Sequence, residues 1–118
     1  MPEFPMDPEE FKRRLGKMRE GYLARVPGKI AEVQALWARV RAADSAAEAE
    51  RDRVRGELVL AAHTMRGSAP TLGCESLGLA AQALEFELRN LFASRRPLSC
   101  EDCHSVQRLI AALGRSMD

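Results

Sequence analysis

The apolar positions of this chain recur at spacings of three and four nearly throughout, and no stretch alternates as a strand would. Phe11, Leu15, Met18, Tyr22 and Val26 form the first stripe. It opens on Asp7-Pro8-Glu9-Glu10: a capping side chain, a proline in the first turn, and acids at the positive end of the helix dipole. Pro27-Gly28 interrupts it, and Ile30, Val33, Leu36, Trp37 and Val40 then continue the same period. The pattern predicts one helix to about residue 26 and a second over about 27–42, with Pro27 either a break or a kink. Ser45-x-x-Glu48 has the form of a capping box and predicts a third helix over about 46–69. Its buried stripe would be Val54, Leu58, Ala61, Ala62, Met65 and Ala69, with Pro70 and Gly73 ending it. A fourth helix should start at Cys74 or Glu75 and turn Leu77, Ala80, Ala81, Leu84, Leu88 and Leu91 to the core. After the breakers around Pro97, Ser99 is the expected cap of a last helix carrying Cys103, Val106, Leu109, Ile110 and Leu113.

Short connections between amphipathic helices predict an all-α, antiparallel up-and-down four-helix bundle with an additional N-terminal helix. The third and fourth helices, joined by a few residues, must be antiparallel neighbours. Met1-Pro2-Glu3-Phe4 has no periodicity. Residues 1–7 therefore read as a disordered tail, a possible remnant of how the chain was produced, and 8–118 as the bundle.

A length of 118 residues suits one domain with a real core, and 46% hydrophobic with 30% charged residues is a soluble, helical composition. A net charge of +1 gives no general affinity for nucleic acid or membrane. Between Lys12 and Lys29, however, seven basic residues accompany one acid, Glu20. That run is either a docking patch for an acidic partner or the solvated face of an amphipathic helix. Neither a membrane-length apolar run nor a signal peptide is visible, so a cytoplasmic location is expected. Three cysteines, an odd number, fit reduced thiols.

Candidate chemistry gathers at His63. Arg66 and Gly67 follow at i+3 and i+4, so an imidazole, a fixed positive charge and a bare patch of backbone share one helix face. The turn centres near Cys74, with His63 11 residues before it and Glu85 11 residues after it. In a symmetric hairpin Glu85 sits level with His63 and accepts a hydrogen bond from Nδ1–H, which fixes the tautomer and leaves Nε2 free. Nucleophile, orienting carboxylate and cation together suit a phosphoryl acceptor. Neither a glycine-rich phosphate loop nor an Asp/Asn metal set is present, so no ATP-binding or autonomous kinase chemistry is expected.

His63-Thr64-Met65-Arg66-Gly67-Ser68-Ala69, followed by Leu72-Gly73, resembles the motif of histidine-containing phosphotransfer (HPt) domains. Arg66 stands where lysine is usual, and Pro70 and Cys74 replace commoner small residues. The resemblance implies that His63 is phosphorylated on Nε2 by a receiver-domain aspartyl phosphate or by a histidine kinase, and hands the group to another receiver. It implies no cofactor in this chain, and Mg²⁺ in the partner receiver. The partner-binding surface expected around His63 is Val59, Leu60, Thr64, Gly67 and Pro70, on a monomer.

Other readings compete. A helical adaptor could bind a receiver or kinase without transferring phosphate. A kinase dimerisation helix resembles the motif less, since Thr64 stands where that box has an acid. Cys100-Glu101-Asp102-Cys103-His104 matches a c-type haem attachment pattern, but haem attachment requires export. As a zinc site, two cysteines and a histidine crowded together with Cys74 distant give poor spacing.

Overall fold

The computed structural model describes residues 7–116, and all regular structure among them is helical. The helices are α1 (Pro8–Ala42), α2 (Glu48–Thr71), α3 (Glu75–Ala93) and α4 (Cys100–Arg115). Of the tail expected over residues 1–7, only Asp7 is described; it is the N-cap of α1, its carboxylate accepting from the Glu10 amide at 2.8 Å. The rest of the expected tail lies outside the described residues.

The separate N-terminal helix does not exist as an element of its own. α1 runs unbroken through Pro27 for 35 residues. Pro27 removes one backbone hydrogen bond, but its ring faces solvent, and Tyr22, Val26, Ile30, Val33, Leu36, Trp37 and Val40 carry one buried stripe across it. Packing on both sides of the proline holds the helix together where local propensity would end it.

α2 begins without the expected capping box. Ala47 is its N-cap and offers no side-chain bond. Ser45 is still in the turn that closes α1, where the Asp44 amide reaches the Arg41 carbonyl and the Ala46 amide that of Ala43. Glu48 instead pairs with Arg95 at 3.0 Å. At its other end α2 passes Pro70 and finishes at Thr71. Gly73, at φ +82°, supplies the left-handed residue that closes it. The Gly73 amide bonds the Pro70 carbonyl and the Cys74 amide the Ala69 carbonyl, the paired bonds of a Schellman motif. α4 has the cap expected from Ser99, completed by Asp102 as a reciprocal capping box.

Contacts join α1 to α2, α2 to α3, α3 to α4 and α4 back to α1, a closed ring of four helices around one core. Pro70 meets Gly78 near the turn, His63 meets Glu85 further along, and Arg55 lies over the Phe92 ring further still. Numbers falling on α2 as they rise on α3 mark an antiparallel pair. Tyr22 with Ser68 and Arg39 with Glu57 do the same for α1 and α2. The molecule is elongated, 62 × 29 × 20 Å, because α1 is far longer than its neighbours. Its buried residues begin only at Tyr22, so residues 8–18 project past the α2–α3 turn.

Candidate functional site

α2 turns Leu58, Ala62, Met65 and Ala69 into the core. His63 and Arg66 therefore emerge on the flank facing α3, and Thr64 and Gly67 further toward solvent. On α3, Leu77, Ala81, Leu84 and Leu88 take the core face. Glu85 lies beside them, its side chain only 3% exposed. An isolated buried carboxylate would be expensive, yet this one is fully engaged. It stands 3.0 Å from His63 Nδ1, and accepts from Arg66 Nη1 at 3.1 Å and from Arg89 Nε at 2.8 Å. Burial pushes the Glu85 carboxyl up, but the hydrogen bonds from Arg89, Arg66 and His63 outweigh it and hold the group below its ordinary value.

That ionisation decides the tautomer. A carboxylate only accepts, so the proton of the His63–Glu85 bond belongs to Nδ1. Nε2 of the neutral ring then carries its lone pair outward, on a side chain 56% exposed. Imidazole, buried anion and two guanidiniums make one connected unit at the α2–α3 groove.

The family model for the Hpt domain matches residues 17–116. The chain belongs to the Hpt domain family. Histidine phosphotransfer in two-component signalling is what that family does in general. No curated protein and no solved structure matches the chain.

In this Hpt domain the other surface residues named from the sequence lie on the same side of α2. Leu60, Thr64, Gly67 and Pro70 are exposed and Val59 is half-buried. Pro70 also serves the fold, because a Cβ on Gly78 would stand 2.6 Å from its Cγ. Around Gly67 the opposite holds: among the described residues, apart from its own helix backbone and chain neighbours, nothing lies within 4 Å of where a Cβ would be. The fold does not ask for glycine at that position.

Sequence reasoning missed three residues here. Arg89 makes the shortest bond to Glu85, and its place at i+4 from that residue was the available signal. Leu79 and Phe86 are exposed on α3, off its core stripe, and flank the groove from the other side. Arg66 also differs from expectation: one amine is spent on Glu85, while 47% of the side chain stays exposed.

Cys100, Cys103 and His104 lie at the start of α4, and all three cysteines are free. Among the described residues no three His, Cys, Asp or Glu side chains converge as a metal site requires. Cys103 packs at the edge of the core, and burial pushes its thiol up. No described helix is long and apolar enough to cross a membrane.

Proposed function

We propose that this Hpt domain is a cytoplasmic, monomeric phosphohistidine carrier, with His63 as phosphoacceptor between receiver-domain aspartates or from a histidine kinase. The observation that carries this reading is the exposed imidazole whose Nδ1 is engaged by a buried, ionised Glu85. The Nε2 lone pair attacks the phosphorus of the donor's acyl phosphate. A P–N bond forms as the P–O bond to the donor aspartate breaks, and the carboxylate leaves with the electron pair. The ring keeps its Nδ1 proton and becomes cationic, facing the Glu85 carboxylate at 3.0 Å. The negative charge of Glu85 thus stabilises the phosphorylated ring and holds its orientation. Return of the phosphoryl group to a second aspartate reverses the step. Arg66 balances the charge of the phosphoryl oxygens, and Mg²⁺ in the partner receiver supplies the remaining stabilisation. The chain itself needs no cofactor. Val59, Leu60, Thr64, Gly67 and Pro70 form the partner surface.

The test is phosphotransfer from phosphorylated receivers and kinases, with wild type beside His63→Gln and Glu85→Gln. Wild type should acquire an acid-labile, base-stable label and His63→Gln none. Glu85→Gln should be slowed roughly ten- to a hundredfold, the worth of a charge-assisted hydrogen bond. Stable receiver binding without any label on wild type would make the protein an adaptor and defeat the carrier reading.

A further inference from the structure

From the seam that α1 leaves uncovered and the charges beside it, we infer that residues 8–18 are a docking arm for an acidic amphipathic helix of a partner protein. This surface is separate from the His63 groove. Phe11, Leu15 and Met18 are 56%, 38% and 59% exposed, although they continue the stripe that is buried from Tyr22 onward. Their spacing is four, three, then four to Tyr22, the alternation of the two core positions of a coiled-coil heptad. α2 and α3 have ended by this height, so among the described residues the stripe has run out of partners. At its base Arg19 packs on Gly73, its Cδ 3.7 Å from where a Cβ would stand. There Lys12, Leu15, Gly16, Arg19, Leu72 and Gly73 line an open hollow of about 370 Å³.

The flanks specify the partner. Lys12 and Arg19 each follow a seam residue and line one side, and Arg14 precedes Leu15 and lines the other. These are the positions whose charges choose coiled-coil partners. Among the described residues Arg14 pairs with a half-buried Glu10 at 3.8 Å, a long ion pair on an exposed arginine and easily displaced. A second copy of the chain does not fit. Parallel pairing sets Arg14 against Arg19, and antiparallel pairing sets Arg14 against Arg14 in one register and Lys12 against Arg19 in the other. A helix with apolar seam positions and glutamates beside them satisfies both the seam and the flanks. An anionic membrane would satisfy the charge, but the Leu72–Gly73 turn rises beside the seam and makes a corner, which receives a rod better than a plane.

The test uses the full chain and a synthetic peptide of about three heptads, with leucine and isoleucine in the seam and glutamate at the flanks. The control peptide carries lysine at the flanks. Fluorescence anisotropy should show binding of the glutamate peptide, weaker at higher salt, and roughly tenfold or more weaker for the lysine peptide. Leu15→Glu, on an exposed position, should weaken it roughly tenfold or more, and its circular dichroism melt checks that the bundle remains folded. Amide exchange should slow over residues 9–19 on binding. His63→Gln should bind as wild type does, so this result stands apart from the outcome of the phosphotransfer test. Equal binding of both peptides, indifference to Leu15→Glu, binding to phosphatidylserine vesicles in place of the peptide, or self-association through the stripe would each overturn the inference.

Discussion

At the scale of single residues, Gly67 separates what the fold needs from what the site needs. A glycine inside a helix costs about 1 kcal/mol against alanine, and no neighbour among the described residues requires the gap. Gly67→Ala should therefore stabilise the protein by roughly 0.5–1 kcal/mol in urea denaturation. The same methyl group stands one turn from His63 on the exposed side of α2, the side proposed above for partner docking. Phosphotransfer should fall roughly tenfold or more, since small misplacements of reacting groups are costly. A variant that is more stable and equally active would show that the gap serves neither purpose. His63, Arg66 and Glu85 were legible in the sequence because helical spacing and hairpin symmetry fix height along an axis. Arg89 was not read, because equal distance from the turn pairs one residue with one residue, and Glu85 accepts from three. The exposed Leu79 and Phe86 were passed over as well: a core stripe defines the residues on it and says nothing of apolar residues beside it.

Elements were legible where local chemistry and tertiary packing agree. Ser99 capped as its sequence suggests, because Asp102 three residues on closes the box and Arg96 braces Asp102 at 2.7 Å. Ser45 did not, since the turn that ends α1 claimed it first. Pro27 misled for the opposite reason: the buried stripe on both sides outweighed a real local penalty. The α4 cap makes a pH prediction. The hydrogen bond from Arg96 and the Ser99 amide bring the Asp102 carboxyl down to about 2, from an ordinary value of 3.8. A depressed carboxylate stabilises the fold fully above its unfolded value, and that stability is lost as pH falls through the folded one. The contribution should thus be intact above about pH 4 and vanish near pH 2. Its size is on the order of 1 kcal/mol once solvent screening of the half-exposed Arg96 is allowed for. Asp102→Asn should lower the urea midpoint at pH 7 and close the gap to wild type as the pH approaches 2. The α2–α3 hairpin makes a second prediction. A Cβ at Gly78 would stand 2.6 Å from Pro70 Cγ and 2.8 Å from its Cδ, on a ring that cannot swing aside. Gly78→Ala should cost about 1–3 kcal/mol by overpacking, opposite in sign to Gly67→Ala. Thermal melts of the two variants side by side would check the contrast.

For the whole molecule, α2 poses the sharpest question, because one helix carries both the core and the site. Leu58, Ala62, Met65 and Ala69 face inward and are buried, while Leu60, His63, Thr64 and Gly67 face outward. If the two faces are independent, stability and chemistry can be changed separately. Leu58 is fully buried, and Leu58→Ala should cost about 2–5 kcal/mol. That is a large share of the roughly 5–15 kcal/mol that holds a domain together. His63→Gln, on a side chain 56% exposed, should change stability by no more than about 0.5 kcal/mol. Fluorescence of Trp37, the one tryptophan in the chain and a core residue, reports unfolding of both. Transfer to Leu58→Ala, measured in the cold and scaled to the folded fraction, should stay within about twofold of wild type. The reason lies in how His63 is held. Its anchor is Glu85 on α3, and Glu85 is fixed in turn by Arg89 on its own helix. A cavity under Leu58 leaves that brace intact. A rate that falls in step with stability would mean that the core, through the spacing of α2 and α3, sets the geometry at His63.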